Sequence, residues 1–313
     1  MRSNDTTLTK KRDCCPSCGS VSHAFVYRDN FSVTGIHEYF VSHYEGSASH
    51  TNLDNLIFEL AQCSNCALTY QVHVPTNDLL SQIYDVWIPK STREELRVTR
   101  NLGYYRYLSE QVQFFIQTLN LPPHEINVLD FGFGWSEWAK MAMAYGCNVS
   151  GSELSTERIA YAQSIGLKCI EIHDLPANHF HFINTEQVFE HLVDPHDILK
   201  RLVTALTDSG IIKISVPDAT NSLRKIRRSG VFSSLSPDQI MPIAPLEHIN
   251  CFNYKTLVTL ANTVGLKPRH PSFKKLYNSS SGWLDLKNAL RLIVRPFYRH
   301  VFPKSTFIYF SLK

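Results

Sequence analysis

INVLDFGFGWSEW, residues 126–138, carries an apolar run that ends in Asp130 through Gly132 and Gly134 into a helical pattern. Glycine has no side chain and accepts left-handed dihedrals, so a strand that breaks into glycines and resumes as a helix brings bare backbone up to a ligand. The dinucleotide fingerprint GxGxxG needs a third glycine for close helix–strand packing; counted from Gly132, that position holds Glu137. Tight nicotinamide-dinucleotide packing is therefore disfavoured. Glu153 follows 23 residues after Asp130, at the end of the next β-like run, where a carboxylate accepts both hydroxyls of a ribose.

Outward from this turn, β-like and helical runs alternate: CNVSGSE, STERIAYAQSIG, LKCIE, FHFINT, PHDILKRLVTALTDSG and GIIKISVP. Gly146 and Gly166 stand where C-terminal helix caps belong. The alternation predicts an α/β fold with a Rossmann-like, doubly wound, mostly parallel sheet and ligands at the carboxyl ends of its strands. Between Arg93 and Leu119, apolar residues recur at helical spacing, including Leu108, Val112, Phe115 and Leu119. Residues 1–90 hold the cysteine pairs and no long helical pattern. The expected organisation is a small N-terminal module over 1–90, a helical linker over 91–124 and the main domain over 125–313. An amphipathic insertion of that domain, about 282–303, precedes the last strand, STFIYFSLK.

The chain has 313 residues, 43% of them hydrophobic, enough for a core without covalent staples. A net charge of +3, from 31 basic and 28 acidic residues, is too mild to make nucleic acid the expected partner. The N-terminus is polar without an apolar h-region, and no run of about 18 apolar residues occurs, so a soluble, cytoplasmic protein is expected. Five of the eight cysteines lie within the first 66 residues, a clustering that suggests metal rather than disulfides. Cys15 and Cys18 form CPSCG, Cys63 and Cys66 form CSNCA, and 44 residues separate the pairs. Four thiolates suit a tetrahedral, structural zinc and leave no open position for catalysis. The alternative is a set of free buried thiols, which is also the reading of Cys14.

VLDFGFGWS fits the pattern hh[DE]xGxGx[GS] and resembles the first motif of class I methyltransferases that use S-adenosylmethionine. The resemblance implies that Gly132, Gly134 and Ser136 pass under the methionine part of this cofactor. Asp130 would orient the loop or the amino group, and Glu153 would hold the ribose. EIHDLPANHFHFI resembles the region of the third and fourth strands, which puts Glu171 where an acidic residue meets the adenine amino group; a solvated strand end is the other reading. QVFEHLVDPHDILKRLVTALTDSGIIKISVPDA resembles the family's next segment and implies Gln187 beside the cofactor, near the sulfonium. CPSCGS and FELAQCSNCALTYQVHVPTNDLLSQIYD resemble the zinc-binding domain fused ahead of certain methyltransferases, the sugar C-methyltransferase and methyltransferase type 23 group.

Two departures bear on the chemistry. In some quinone-type O-methyltransferases of this superfamily, a Glu three residues before a Glu–His pair helps hold a divalent cation. Gln187 replaces it here, so Glu190 and His191 read as a helix start rather than as metal ligands. In the zinc-bearing sugar C-methyltransferases a YHEH stretch supplies a catalytic His with neighbouring Glu and Tyr. This chain reads APLEHINCF over 244–252, which keeps Glu247 and His248 but has Pro245 at the Tyr position. His248, with an unperturbed pKa near ~6.5, is the candidate base, with Glu247 beside it. The alternative is a structural pin whose ring bonds a backbone carbonyl.

LRKIRRSG sets Arg224, Lys225, Arg227 and Arg228 after the fifth strand, either as a solvated face or as a clamp for a phosphate-bearing acceptor such as a nucleotide sugar or glycan precursor. WLDLKNALRLIVRPFYRHVF spaces Lys287, Arg291, Arg295 and Arg299 four apart, either packing on the domain or touching a membrane surface through 283–302. The sequence thus points to an S-adenosylmethionine-dependent methyltransferase with structural zinc (Zn2+), acting on a small-molecule or sugar-type acceptor. The alternatives are a non-catalytic S-adenosylmethionine-binding or zinc interaction module and a nucleotide-dependent oxidoreductase.

Overall fold

In a computed structural model that describes residues 8–50, 53, 56–88, 99–270, 293 and 305–313, the apolar runs become buried strands. In chain order these are β1 Thr9–Lys11, β2 His23–Asn30, β3 Ile57–Cys63, β4 Thr69–Gln71, β5 His73–Pro75, β6 Asn127–Phe131, β7 Asn148–Ser152, β8 Lys168–Cys169, β9 Phe180–Glu186, β10 Leu206–Pro217, β11 Asn250–Cys251, β12 Leu266–Pro268 and β13 Ser305–Leu312. The α-helices are α1 Thr34–His43, α2 Asn77–Ser81, α3 Leu102–Leu119, α4 Glu137–Ala144, α5 Thr156–Ser164, α6 Pro195–Ala205, α7 Thr220–Ser229, α8 Pro237–Ile240 and α9 Tyr254–Thr263. They group into two units. One takes Met1–Thr99, Glu190–Pro195 and Pro217–Thr256; the other takes Arg100–Phe189, His196–Val216 and Leu257–Lys313. The sequence reading set its boundaries near 90 and 125; the first unit also gathers two later pieces of chain.

The second unit is built on a seven-stranded sheet of order β12-β13-β10-β9-β6-β7-β8. β10, β9, β6, β7 and β8 pair in parallel, and β12 pairs antiparallel with β13. Val128, Leu129, Ile183, Ile211, Ile212 and Ile214 are fully buried, as strands covered on both faces require. α3 presents Leu108, Val112 and Phe115 to this core, so the helical spacing in the sequence corresponds to a buried face. Phe115 stacks on Phe182 at 4.4 Å between centroids, and Trp138 stacks on the same ring at 5.8 Å. Asn101 caps the start of α3 by accepting from the Tyr104 amide, and Asn120 closes it in the left-handed region. This is the Rossmann-like, mostly parallel α/β sheet that the strand–helix alternation predicts.

Two elements differ from the sequence expectation. The helix expected to run to Gly210 stops at Ala205, because Leu206 pairs with Phe180 and starts β10; the register then shifts before Ile211. Thr207, Asp208 and Ser209 are weak helix formers, which favours that early stop. Glu190 and His191 do not start a helix. They close a 3-10 turn, Phe189–His191, while α6 begins at Pro195, a residue suited to a first helical position.

The first unit holds a four-stranded antiparallel sheet of order β11-β4-β3-β2 and the β1–β5 pair. Its core joins Tyr27, Phe31, Phe40, Phe58, Trp87 and Phe232. The sequence reading expected no helix of length here, yet α1 spans ten residues. Its N-cap, Val33, offers no side-chain bond, so burial of Ile36 and Phe40 rather than local propensity holds it. Among the described residues no helix is long and apolar enough to cross a membrane. The amphipathic stretch 283–302 lies outside the described residues, save for residue 293.

Candidate functional site

In the second unit, β6 ends in the turn that carries Gly132 and Gly134, at φ 72° and 52°. A Cβ on Gly132 would lie 2.5 Å from Val188 Cγ2, so only glycine fits there; around a Cβ on Gly134 nothing lies within 4 Å. Asp130 is 3% exposed, and its Oδ1 accepts from Asn184 Nδ2 at 2.8 Å. Burial pushes the Asp130 carboxyl up to about 7, against the pull of Asn184 and Lys213. Its Oδ2 and the Ser136 hydroxyl are both buried and have no hydrogen-bond partner among the described residues. Lys213, also buried, donates to Glu186, to Gln111 and, at 3.2 Å, to Asn184 Oδ1. A chain of polar side chains thus runs under the turn from Asp130 to Glu186.

Glu153 follows β7 and is fixed before any ligand arrives. Its Oε2 accepts from the Gly134 amide at 3.0 Å, and its Oε1 accepts from the Leu154 and Ser155 amides at 2.8 and 3.2 Å. Arg158 stands 3.5 Å from Oε2. Gln187, at φ 55°, donates to Ser215 Oγ at 3.3 Å. Glu171 lies just past β8 and is exposed. Asp130, Gly132, Gly134, Ser136, Glu153, Glu171 and Gln187 all belong to this unit, at the carboxyl ends of adjacent strands. Asn184, Arg158 and Lys213 were missed by the sequence reading: they follow Asp130 by tens of residues, and no local pattern marks them.

In the first unit, Cys15, Cys18, Cys63 and Cys66 converge, with all four sulfurs within 4.8 Å of one another. Cys15 Sγ is 3.5 Å from Cys66 Sγ, and Cys18 Sγ is 3.6 Å from Cys63 Sγ. Four sulfurs about 2.3 Å from a tetrahedral ion sit about 3.8 Å apart, so the spacing matches. The Asn65 and Cys66 amides point at Cys63 Sγ, and Asn65 Nδ2 points at Cys18 Sγ. Cys14 stays outside the cluster and is exposed rather than buried.

Glu247 and His248 occupy the same unit and face different groups. The Glu247 carboxylate accepts from Tyr44 Oη at 2.6 Å and meets His43 Nε2 at 2.9 Å. Burial alone would raise its carboxyl, but the His43 and Tyr44 hydrogen bonds hold it down to about 2. His248 is 8% exposed; burial, reinforced by His191, drives its pKa down to about 3, so the ring is neutral near pH 7. Its Nδ1 has no hydrogen-bond partner among the described residues. The rings of His248 and His191 lie edge to face at 4.7 Å. Arg12 and Asn250 hold the following Leu192–Val193 backbone by its carbonyls, at 2.7–3.3 Å. On α7 of this unit, Thr220, Arg224, Arg227 and Arg228 line an open depression of about 410 Å³.

A parallel α/β sheet whose first strand ends in an acid and a glycine turn, with a carboxylate after the second, defines a class I S-adenosylmethionine-dependent methyltransferase. A family model described as "Methyltransferase domain", type 23, matches residues 101–270. The chain belongs to this methyltransferase family. It is similar in structure to an S-adenosylmethionine dependent methyltransferase from Mesorhizobium loti, at 12% identity over 62% of this chain and 94% of that one, with a TM-score of 0.42. A SAM dependent methyltransferase from Archaeoglobus fulgidus gives 16% identity, 72% and 100% coverage, and 0.43. The plantazolicin methyltransferase BpumL in complex with SAH gives 14% identity, 88% and 97% coverage, and 0.46. No curated protein matches the chain.

Proposed function

We propose that the protein methylates an oxygen or carbon of a small-molecule or sugar-type acceptor, with the cofactor held by Asp130, Gly132, Gly134, Ser136, Glu153, Glu171 and Gln187. The observation that carries this reading is the pair of buried, unpartnered polar atoms, Asp130 Oδ2 and Ser136 Oγ, beside the open space at Gly134. That donor and acceptor set fits a ligand with an ammonium and hydroxyls. Glu153, already anchored by three amides, loses little freedom when it accepts ribose hydroxyls. S-adenosylmethionine supplies a methyl group on a sulfonium, which the acceptor displaces in line. The protein's own residues then have two tasks, to orient the acceptor and to take up its proton.

His248 is the residue on which acceptor activation turns, with Glu247 as its neighbour in the chain. The unpartnered Nδ1 supports that role, while the Met241 backbone holds the ring in place. Glu247 is occupied by His43 and Tyr44, which suits a supporting anion better than a proton acceptor. The arginines at the α7 depression fit an acceptor that carries phosphate, such as a nucleotide sugar, because guanidinium forks match phosphate oxygens. Cys15, Cys18, Cys63 and Cys66 hold a structural zinc in this reading.

A methyl-transfer screen with nucleotide sugars and glycan precursors, read by product mass, tests the acceptor class. Calorimetry with S-adenosylmethionine, S-adenosylhomocysteine and NAD(P) tests the cofactor; binding of NAD(P) alone would overturn the assignment. His248→Gln is expected to lower turnover by at least about 100-fold, the scale of general acid–base catalysis, and to leave cofactor affinity within about twofold.

A further inference from the structure

The segment that follows β9 and the segment that precedes β11 meet in the first unit, and each brings metal-ligating side chains. Glu190, His191 and His248 each offer a donor atom within 4.8 Å of the other two, and His191 Nε2 lies 3.8 Å from Glu190 Oε1. Donors bound at about 2.0–2.2 Å to one ion sit about 3.3–4.2 Å apart, so the cluster is close to the spacing an ion imposes. We propose that Glu190, His191 and His248 bind a divalent transition-metal ion of the zinc type, separate from the four-cysteine cluster.

The hydrogen bonds around the two rings leave the right lone pairs free. His191 Nδ1 lies 2.9 Å from the Glu247 carbonyl and 3.0 Å from Tyr84 Oη. A carbonyl only accepts, so Nδ1 carries the proton and Nε2, the nitrogen facing Glu190, keeps its lone pair. For His248 the nitrogen without a partner is Nδ1, while the Met241 backbone is the ring's hydrogen-bonding neighbour. His191 thus follows the pattern of a bound imidazole, one nitrogen tied to the backbone and the other left for the ion. The Glu190 carboxylate is itself 1% exposed, so the cluster lies out of contact with bulk water.

Two imidazoles and one carboxylate favour zinc, iron or manganese over magnesium, which prefers oxygen ligands and several waters. Gln187 takes no part, since it is bonded to Ser215. The third ligand is His248, 57 residues beyond His191, which is why the spacing around Gln187 gave no sign of it. Three protein donors leave a position open for an oxygen ligand. Where the acceptor reading of His248 holds, on which this last step rests, that ligand is the acceptor hydroxyl, and His248 then acts through the ion rather than as the base itself: the bound hydroxyl becomes more acidic and its proton passes to solvent.

The test is a cobalt titration of the full chain, stripped with a chelator under reducing conditions. The four-cysteine site reports through thiolate-to-cobalt charge-transfer absorption, and a nitrogen–oxygen site reports through weak ligand-field bands alone. The wild type is expected to take up two ions per chain, one of each kind. Glu190→Gln and His248→Ala are expected to keep the thiolate-bound ion, which shows that the unit has folded, and to lose the other. Tyr84→Phe should weaken the second ion by about 10-fold, the scale of losing an outer partner of a ligand. Uptake of only the thiolate-bound ion by the wild type overturns the proposal, and so does a second ion that persists in both variants. Failure to bind S-adenosylhomocysteine in the same preparation would count against the cofactor reading alone.

Discussion

At the level of single residues, the glycine turn separates a steric requirement from a ligand requirement. Gly132→Ala forces a methyl group to 2.5 Å from Val188 at a φ that disfavours side chains, and is expected to cost about 2–4 kcal/mol of stability. Gly134→Ala meets nothing within 4 Å and should cost only about 1–2 kcal/mol, yet its methyl enters the space proposed for the cofactor. Urea denaturation and calorimetry on both variants check this. The expected result is a large stability loss for the first, and for the second an affinity loss out of proportion to its stability loss. Asp130 predicts a pH dependence. Its folded pKa, about 7, lies above the unfolded value near ~3.9, so between these the folded chain holds a proton that the unfolded chain has released. Stability from this group therefore falls as pH rises from about 4 to 7, by up to about 4 kcal/mol. Asp130→Asn should remove the dependence, so that the variant gains on the wild type between pH 5 and pH 8 in urea unfolding. The acid and the glycines were legible in the sequence because their spacing is local. Asn184, which bonds Asp130 from 54 positions away, was not, because a side chain's partner across a sheet leaves no periodic trace.

At the level of elements, legibility followed hydrophobic periodicity. β6, β9 and β10 are apolar runs buried on both faces, and α3 carries one apolar stripe, so the sequence reading found all four. α1 escaped it because its stability lies in Ile36 and Phe40 packing into a core drawn from distant chain, including Phe232. The boundary between α6 and β10 escaped it because pairing with β9 overrides the local pattern at Leu206. Where one element carries the packing, one substitution should reveal it. Phe115 is fully buried on α3, stacked on Phe182 and tilted against Trp138 at 5.8 Å. Phe115→Ala is expected to cost about 3–5 kcal/mol, as ring loss from a packed core does, and to lower the melting temperature of the second unit. Phe115→Leu should retain more than half of that stability. Equal melting of the alanine variant and the wild type in a thermal scan would mean that α3 is not docked through this ring.

At the level of the whole molecule, the first unit is stitched from three pieces of chain, and the four-cysteine cluster lies wholly in the first of them. A metal held there, as proposed, would bind the folded chain, in which the four thiolates converge, far better than the unfolded one, so its binding energy would be folding energy for that piece. The small sheet β11-β4-β3-β2 contains Cys63 at the end of β3, where β3 pairs with β2 through His23. Loss of the proposed ion should loosen β2 and β3 first. The sequence revealed the two CxxC knuckles but not this consequence, because the pairing of β11 with β4 joins residues 180 apart and has no local signature. Chelation of zinc from the reduced full chain, or Cys63→Ser, is expected to cost the first unit several kcal/mol, given apparent binding energies of about 10–16 kcal/mol for structural zinc. Hydrogen exchange followed by mass spectrometry checks it. Peptides covering 23–30 and 57–63 should lose protection on chelation and recover it with one added equivalent of zinc. The strands of the seven-stranded sheet, β6 and β9 above all, serve as the internal control, since their amides are paired within a core that contains no cysteine ligand. Protection of 57–63 that is indifferent to chelator would remove the metal from the list of forces that hold this sheet together.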